Sequence, residues 1–140
     1  MSNFIDFQAL SHTAVMTMLQ AAIGKADDLG QPQCIVIVDG SGELMGEIRM
    51  TGSKFLSRKS ARAKALTAAS IGAPSHAVPE AVRGAIAAAT DGTVTGLPGG
   101  LPIKHGGHLL GGIGVGSGSG DQDIAVAEAA LAAIGADAVA

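Results

Sequence analysis

The chain has 140 residues and a formal net charge of -3, with 9 Lys and Arg against 12 Asp and Glu, and 47% of its residues are hydrophobic. That length suits one domain spanning 1–140 with a genuine core, the charge excludes an overall basic nucleic-acid surface, and no apolar run approaches the roughly 20 residues of a membrane span. The single cysteine, Cys34, excludes an internal disulfide and any multi-cysteine metal site.

The first basic residue is Lys25, and Asp6 interrupts the N-terminal apolar residues, so a signal-peptide n-region is lacking and a cytoplasmic location is expected. Leu10, Ala14, Val15, Met18, Leu19, Ala22 and Ile23 recur at helical spacing, and Gly30 with Pro32 supplies the stop. An amphipathic helix of about five turns is predicted, with His12 off its apolar stripe. The run from Cys34, a turn at Asp39 to Gly42 and a second run carrying Glu43, Glu47 and Arg49 predict a β-hairpin. Asp39 opens that turn, where an Asp bonds its own backbone.

Six of the nine basic residues fall between Arg49 and Lys64, with no acid from Ile48 to Pro79. This local cationic stretch suits a small anionic ligand, or a solvated helix face. Ser57 to Ser70 contains no glycine or proline and reads as a helix. At 100° per residue Arg58, Lys59 and Arg62 share one face, while Lys64 falls among Ser57, Ser60 and Thr67. Lys64 is thus set apart, either to pair with a carboxylate or to snorkel. Pro74 and Pro79 break the chain around an exposed His76, and Glu80 to Ala89 reads as a short helix ended by Asp91-Gly92.

Between Gly99 and Gly120 lie 10 of the 21 glycines, so the backbone there turns sharply or is closely approached. Gly106-Gly107 fits a type I′ turn, which makes His105 and His108 cross-strand partners that could share an adventitious metal. GSGSGDQD then enters a last helix, Ile124 to Ile134, with Asp121 as N-cap and Asp123 in the first turn. The order of helix, two strands, two helices, two strands and helix implies an α+β domain. Only Phe4, Phe7 and Phe55 are aromatic, so the core is expected to consist of Ala, Val, Ile, Leu and Met, and the apolar excess points to a homo-oligomer.

Several strings resemble the GlcG/HbpS haem-binding, haem-degrading family, which also supplies the C-terminal domain of PduO-type corrinoid adenosyltransferases. They are IVIVDGSGEL from Ile35, RMTGS from Arg49, KALTAAS from Lys64, PGGLPI from Pro98 and GGIGVGSGSGDQD from Gly111. The resemblance implies a profilin-like or PAS-like sandwich, a central antiparallel sheet flanked by helices, assembled into oligomers. It also implies haem as cofactor, with a helical histidine such as His12 as the metal ligand. Thr51 stands where the family usually has Asp, and Gly116 where serine is common.

Three functions are expected from these residues. In the first, a haem-binding protein possesses a cationic pocket containing Arg49, Lys64, Gly99 and Gly100, with haem propionates on Arg49 or Lys64 and iron on His12. In the second, an isomerase or tautomerase holds a small carboxylate on Arg49 and moves a proton through Lys64. A binding module without chemistry is the third expectation.

Overall fold

The structure, a computed structural model, describes residues 1–139. Its elements are α1 (His12–Leu29), β1 (Cys34–Asp39), β2 (Leu44–Arg49), α2 (Ser57–Ile71), two short 3-10 turns at Ser75–Ala77 and Glu80–Val82, α3 (Arg83–Ala89), β3 (Gly100–His105), β4 (His108–Gly116) and α4 (Gly120–Ala133). The four strands form one antiparallel sheet in the order β2-β1-β4-β3. This is the α+β architecture expected, with α1 and α4 against one face and α2 against the other.

The alternation of strand side chains sets those faces. Ile35 and Ile37 of β1, with Ile113 and Val115 of β4, join Met18, Ala22, Val126 and Ala130 of the two terminal helices. Cys34, Val36 and Val38 point the other way, onto Ala61, Ala65 and Ala69 of α2. On that side β4 presents Gly112 and Gly114, and a Cβ on Gly114 would collide with the carbonyl oxygen of Ala61. The glycines of β4 therefore let α2 lie directly on the sheet. No phenylalanine enters the core: Phe4, Phe7 and Phe55 are 87%, 83% and 61% exposed.

Both hairpins form as read. Asp39 Oδ1 accepts from the N–H of Ser41 at 2.9 Å and of Glu43 at 3.0 Å, the turn-closing role of an Asx residue. Gly106 and Gly107 have φ of 56° and 80°, and His105 faces His108. Two boundaries differ from expectation. The segment from Glu80 starts as a 3-10 turn after Pro79 and becomes α-helical only at Arg83. The last helix begins at Gly120, and its N-cap is Ser119 rather than Asp121. Ser119 Oγ accepts from Gln122 N while Gln122 Oε1 accepts from Ser119 N, a reciprocal capping box that a residue at 121 could not make with this register.

Candidate functional sites

Lys64 comes from the inward face of α2 and is buried, while Arg58, Lys59 and Arg62 lie exposed on the opposite face. Its ammonium donates to the carbonyl of Val115 at 2.8 Å and to Asp123 Oδ2 at 2.9 Å, joining α2, β4 and α4. The second oxygen of Asp123 accepts from Gly118 N at 3.1 Å. Gly99 and Gly100 make room for this pair. Gly99 has a φ of 121°, a region glycine adopts readily, and a Cβ there would stand 3.0 Å from Lys64 Nζ. A Cβ on Gly100 would strike the Lys64 carbonyl, and Gly100 N donates to Ser75 Oγ at 2.9 Å. The pair forms part of the wall of a cavity of about 270 Å³, together with Lys54, Ser57, Ser117 and Gly118.

The structure brings Lys64, Gly99 and Gly100 together but does not bring Arg49 to them. Arg49 ends the edge strand β2 opposite Cys34, and Cys34 in turn faces Gly116 of β4, so a whole strand separates Arg49 from the strand that Lys64 contacts. Its side chain is exposed and forms no part of that cavity wall. The expectation that both cations converge on one anion is corrected on this geometry. Lys64 also carries its own counter-ion, because a buried ammonium needs compensation and Asp123 supplies it.

His12 lies elsewhere. It opens α1, is exposed, and follows the N-cap Ser11, whose Oγ accepts from Ala14 N at 3.1 Å. Ser11 and Ala14 contribute to a cleft of about 500 Å³ walled by Leu10, Leu110 and Ile134 and edged by Gln8 and His105. His105 Nδ1 stands 3.3 Å from Gln8 Oε1. A neighbouring hollow of about 410 Å³ shares Gln8, Ala9 and Leu110 and reaches Phe7. Leu110 in this cleft and Val115 at the Lys64 pair are five residues apart on β4, about 17 Å of strand. Within one chain this cleft and the Lys64 pair therefore lie toward opposite ends of β4.

His105 and His108 have no third ligand: among the described residues no group of three or more His, Cys, Asp or Glu could hold a metal ion. Cys34 is buried with its thiol near Ser53 and Lys54, a core position as read. Among the described residues no helix is long and apolar enough to cross a membrane. Sequence reasoning missed Ser75 and Ser117, counted Lys54 only within the cationic stretch, and placed Asp123 only as a first-turn acid. The signal for Asp123 lay in the pairing of a lysine turned from the solvated face with an acid at a glycine-lined helix start.

The family model described as "Haem degrading protein HbpS-like" matches residues 10–132. Against curated proteins the sequence finds no match. Among solved structures, a PduOC:heme complex is 29% identical with a TM-score of 0.87, covering 95% of this chain and 100% of that one. A double mutant of Streptomyces reticuli HbpS is 29% identical with a TM-score of 0.82, over 92% of this chain and 89% of that one. Klebsiella pneumoniae protein ORFY, 24% identical with a TM-score of 0.91 over 96% and 97%, shares the fold.

Proposed function

From the premise that this chain belongs to the HbpS-like haem-degrading family, we propose that it binds haem in the cleft between its N-terminal arm and the β3–β4 hairpin, with His12 as the protein ligand to iron. The observation that carries this reading is a cleft of cofactor size with one imidazole, His105, at its edge and the start of α1, where His12 stands, beside it. A volume of about 500 Å³ falls in the range of cofactor pockets, which are apolar with a few convergent polar groups. Leu10, Leu110 and Ile134 provide that apolar wall, and Phe7 stands in the adjoining hollow. The His12 ring forms no hydrogen bond with another described residue, and an imidazole is a common protein ligand to haem iron. The relation to a protein solved with heme supports the same cofactor.

Bound haem would supply redox-active iron. The chain's own part is to hold that iron through an imidazole, to exclude water with the leucine and isoleucine walls, and to offer Gln8 and His105 as polar partners at the rim. The reading carries with it the homo-oligomer and the cytoplasmic setting expected from sequence. A proton shuttle through Lys64 is not favoured, because its ammonium is already held by Asp123 and the Val115 carbonyl.

Haem titration followed at the Soret band tests the proposal. His12→Ala is expected to shift the band and weaken affinity about tenfold or more, a loss of about 1.4 kcal/mol. His108→Ala should change neither. A His12→Ala protein with the wild-type spectrum and affinity would remove His12 from the iron.

A further inference from the structure

We infer that the cavity at the Lys64 end is a second binding site, for a small oxyanion ligand carrying a carboxylate or phosphate group, separate from the haem cleft. Several polar groups in its wall are already used. Both oxygens of Asp123 accept hydrogen bonds, from Lys64 and from Gly118 N. The Val115 carbonyl takes Lys64, and the Ser57 carbonyl takes Ser60 Oγ at 3.2 Å. What remains is a set of donors. An ammonium has three protons, and Lys64 directs only two of them to protein acceptors. Lys54 Nζ and the Ser57 hydroxyl donate to no other described residue, although both residues line the cavity. With the Asp123 carboxylate and the Val115 and Ser57 carbonyls engaged, and Lys54 Nζ, one Lys64 proton and the Ser57 hydroxyl free to donate, the wall fits a ligand that brings acceptors.

Two further features point the same way. The first residues of α2 and α4, Ser57 and Gly120, both line the cavity; α2 has no acid in its first turn and directs its positive end at it, whereas the first turn of α4 carries Asp121 and Asp123. Behind the wall lies Gln33, fully buried, with neither its amide nitrogen nor its amide oxygen hydrogen-bonded within the described residues. That amide is aimed at the cavity wall: a Cβ on Gly118 would lie 2.6 Å from Gln33 Nε2 and 2.9 Å from Asp123 Oδ1. Gly118 keeps the partition between the amide and the cavity down to bare backbone. At about 270 Å³ the cavity suits a ligand far smaller than haem.

The test is titration of the full chain with potassium phosphate and, separately, potassium acetate at ionic strength held constant with chloride, followed by amide NMR shifts. Saturable shifts at Gly118, Gly120 and Lys54 are expected with at least one of the two anions; response to acetate alone assigns a carboxylate ligand, and response to phosphate alone a phosphorylated one. Lys54→Gln removes an exposed charge outside the core, so it should leave the melting temperature unchanged while weakening binding about tenfold or more. Arg49→Gln and Arg62→Gln should bind as wild type. Shifts that rise linearly with both anions, saturable shifts confined to the Arg58 and Arg62 face, or unchanged affinity in Lys54→Gln would each overturn the inference. A fall in haem affinity in Lys54→Gln equal to the fall in anion affinity would overturn it too, by making the two sites one.

Discussion

Lys64 and Asp123 show how much a single buried pair can demand of its neighbours. Their side chains are only 6% and 3% exposed, so each depends on the other for compensation. Lys64→Ala should therefore destabilise the protein by about 3–5 kcal/mol, since it leaves a buried carboxylate unpaired. The double variant Lys64→Met with Asp123→Leu should be more stable than Lys64→Ala in urea denaturation; if both lose the same stability, the pair is not what holds α2 to α4. Asp137 acts at the surface instead. Its carboxylate accepts from Gly107 N at 2.8 Å and Gly106 N at 3.0 Å, and these bonds, Gly107's first, hold its pKa below the ordinary carboxylate value. Because the folded value is the lower one, its contribution is fully present above the unfolded pKa and is lost as pH falls through the folded pKa. Melting curves of wild type and Asp137→Asn should thus differ at neutral pH and converge in acid. That Lys64 leaves the solvated face was readable from helical spacing alone. Its partner was not, because Asp123 stands 59 residues away and the spacing of neither helix says which of its residues the other will meet.

At the scale of elements, the glycine-rich stretch told of close approach without saying what approaches. The partner is α2, whose Ala61, Ala65 and Ala69 settle on Gly112 and Gly114 with no side chain between. Gly114→Ala should cost about 1–3 kcal/mol by overpacking, because the new methyl meets backbone that cannot rotate away. Gly24 in the middle of α1 has nothing within 4 Å of a Cβ, so Gly24→Ala should add about 0.5–1 kcal/mol from helix propensity. Thermal melting of the two variants, moving in opposite directions, checks the contrast; a Gly114→Ala protein as stable as wild type would mean that α2 can lift from the sheet. The helix start at Ser119 was legible in principle, since Ser119 and Gln122 form an S-x-x-Q box, but the neighbouring Asp121 is an equally good capping type and competed for the assignment. The 3-10 turn after Pro79 was less so, because helix propensity does not distinguish the two hydrogen-bond patterns in so short a piece.

For the whole molecule, the sheet separates what the sequence had joined. Arg49 and Lys64 stood in strings resembling one family, and His12 was joined to them as the helical histidine that the resemblance implies, but position along the chain gives no distance across the fold, and only the strand register separates Arg49 from the strand that Lys64 contacts. The aromatic residues make a related point. A core of small aliphatic side chains was readable from composition, and it leaves Phe4, Phe7 and Phe55 outside, together with Leu56 at 64% and Leu97 at 53% exposure. Phe55 and Leu56 precede α2, and Leu97 lines the cavity that the start of α2 also lines, so these groups lie at one end of the molecule. Burying apolar surface is worth about 25 cal/mol per Å², and a second copy of this chain offers the same residues for it in a two-fold contact. Sedimentation at micromolar concentration is expected to show a dimer or larger assembly, with Phe55→Ser and Leu56→Ser together shifting it toward monomer. The folded monomer should survive that change, because neither residue belongs to the core. A wild-type monomer would refute the association, and an assembly indifferent to the double change would move the contact away from this end of the protein.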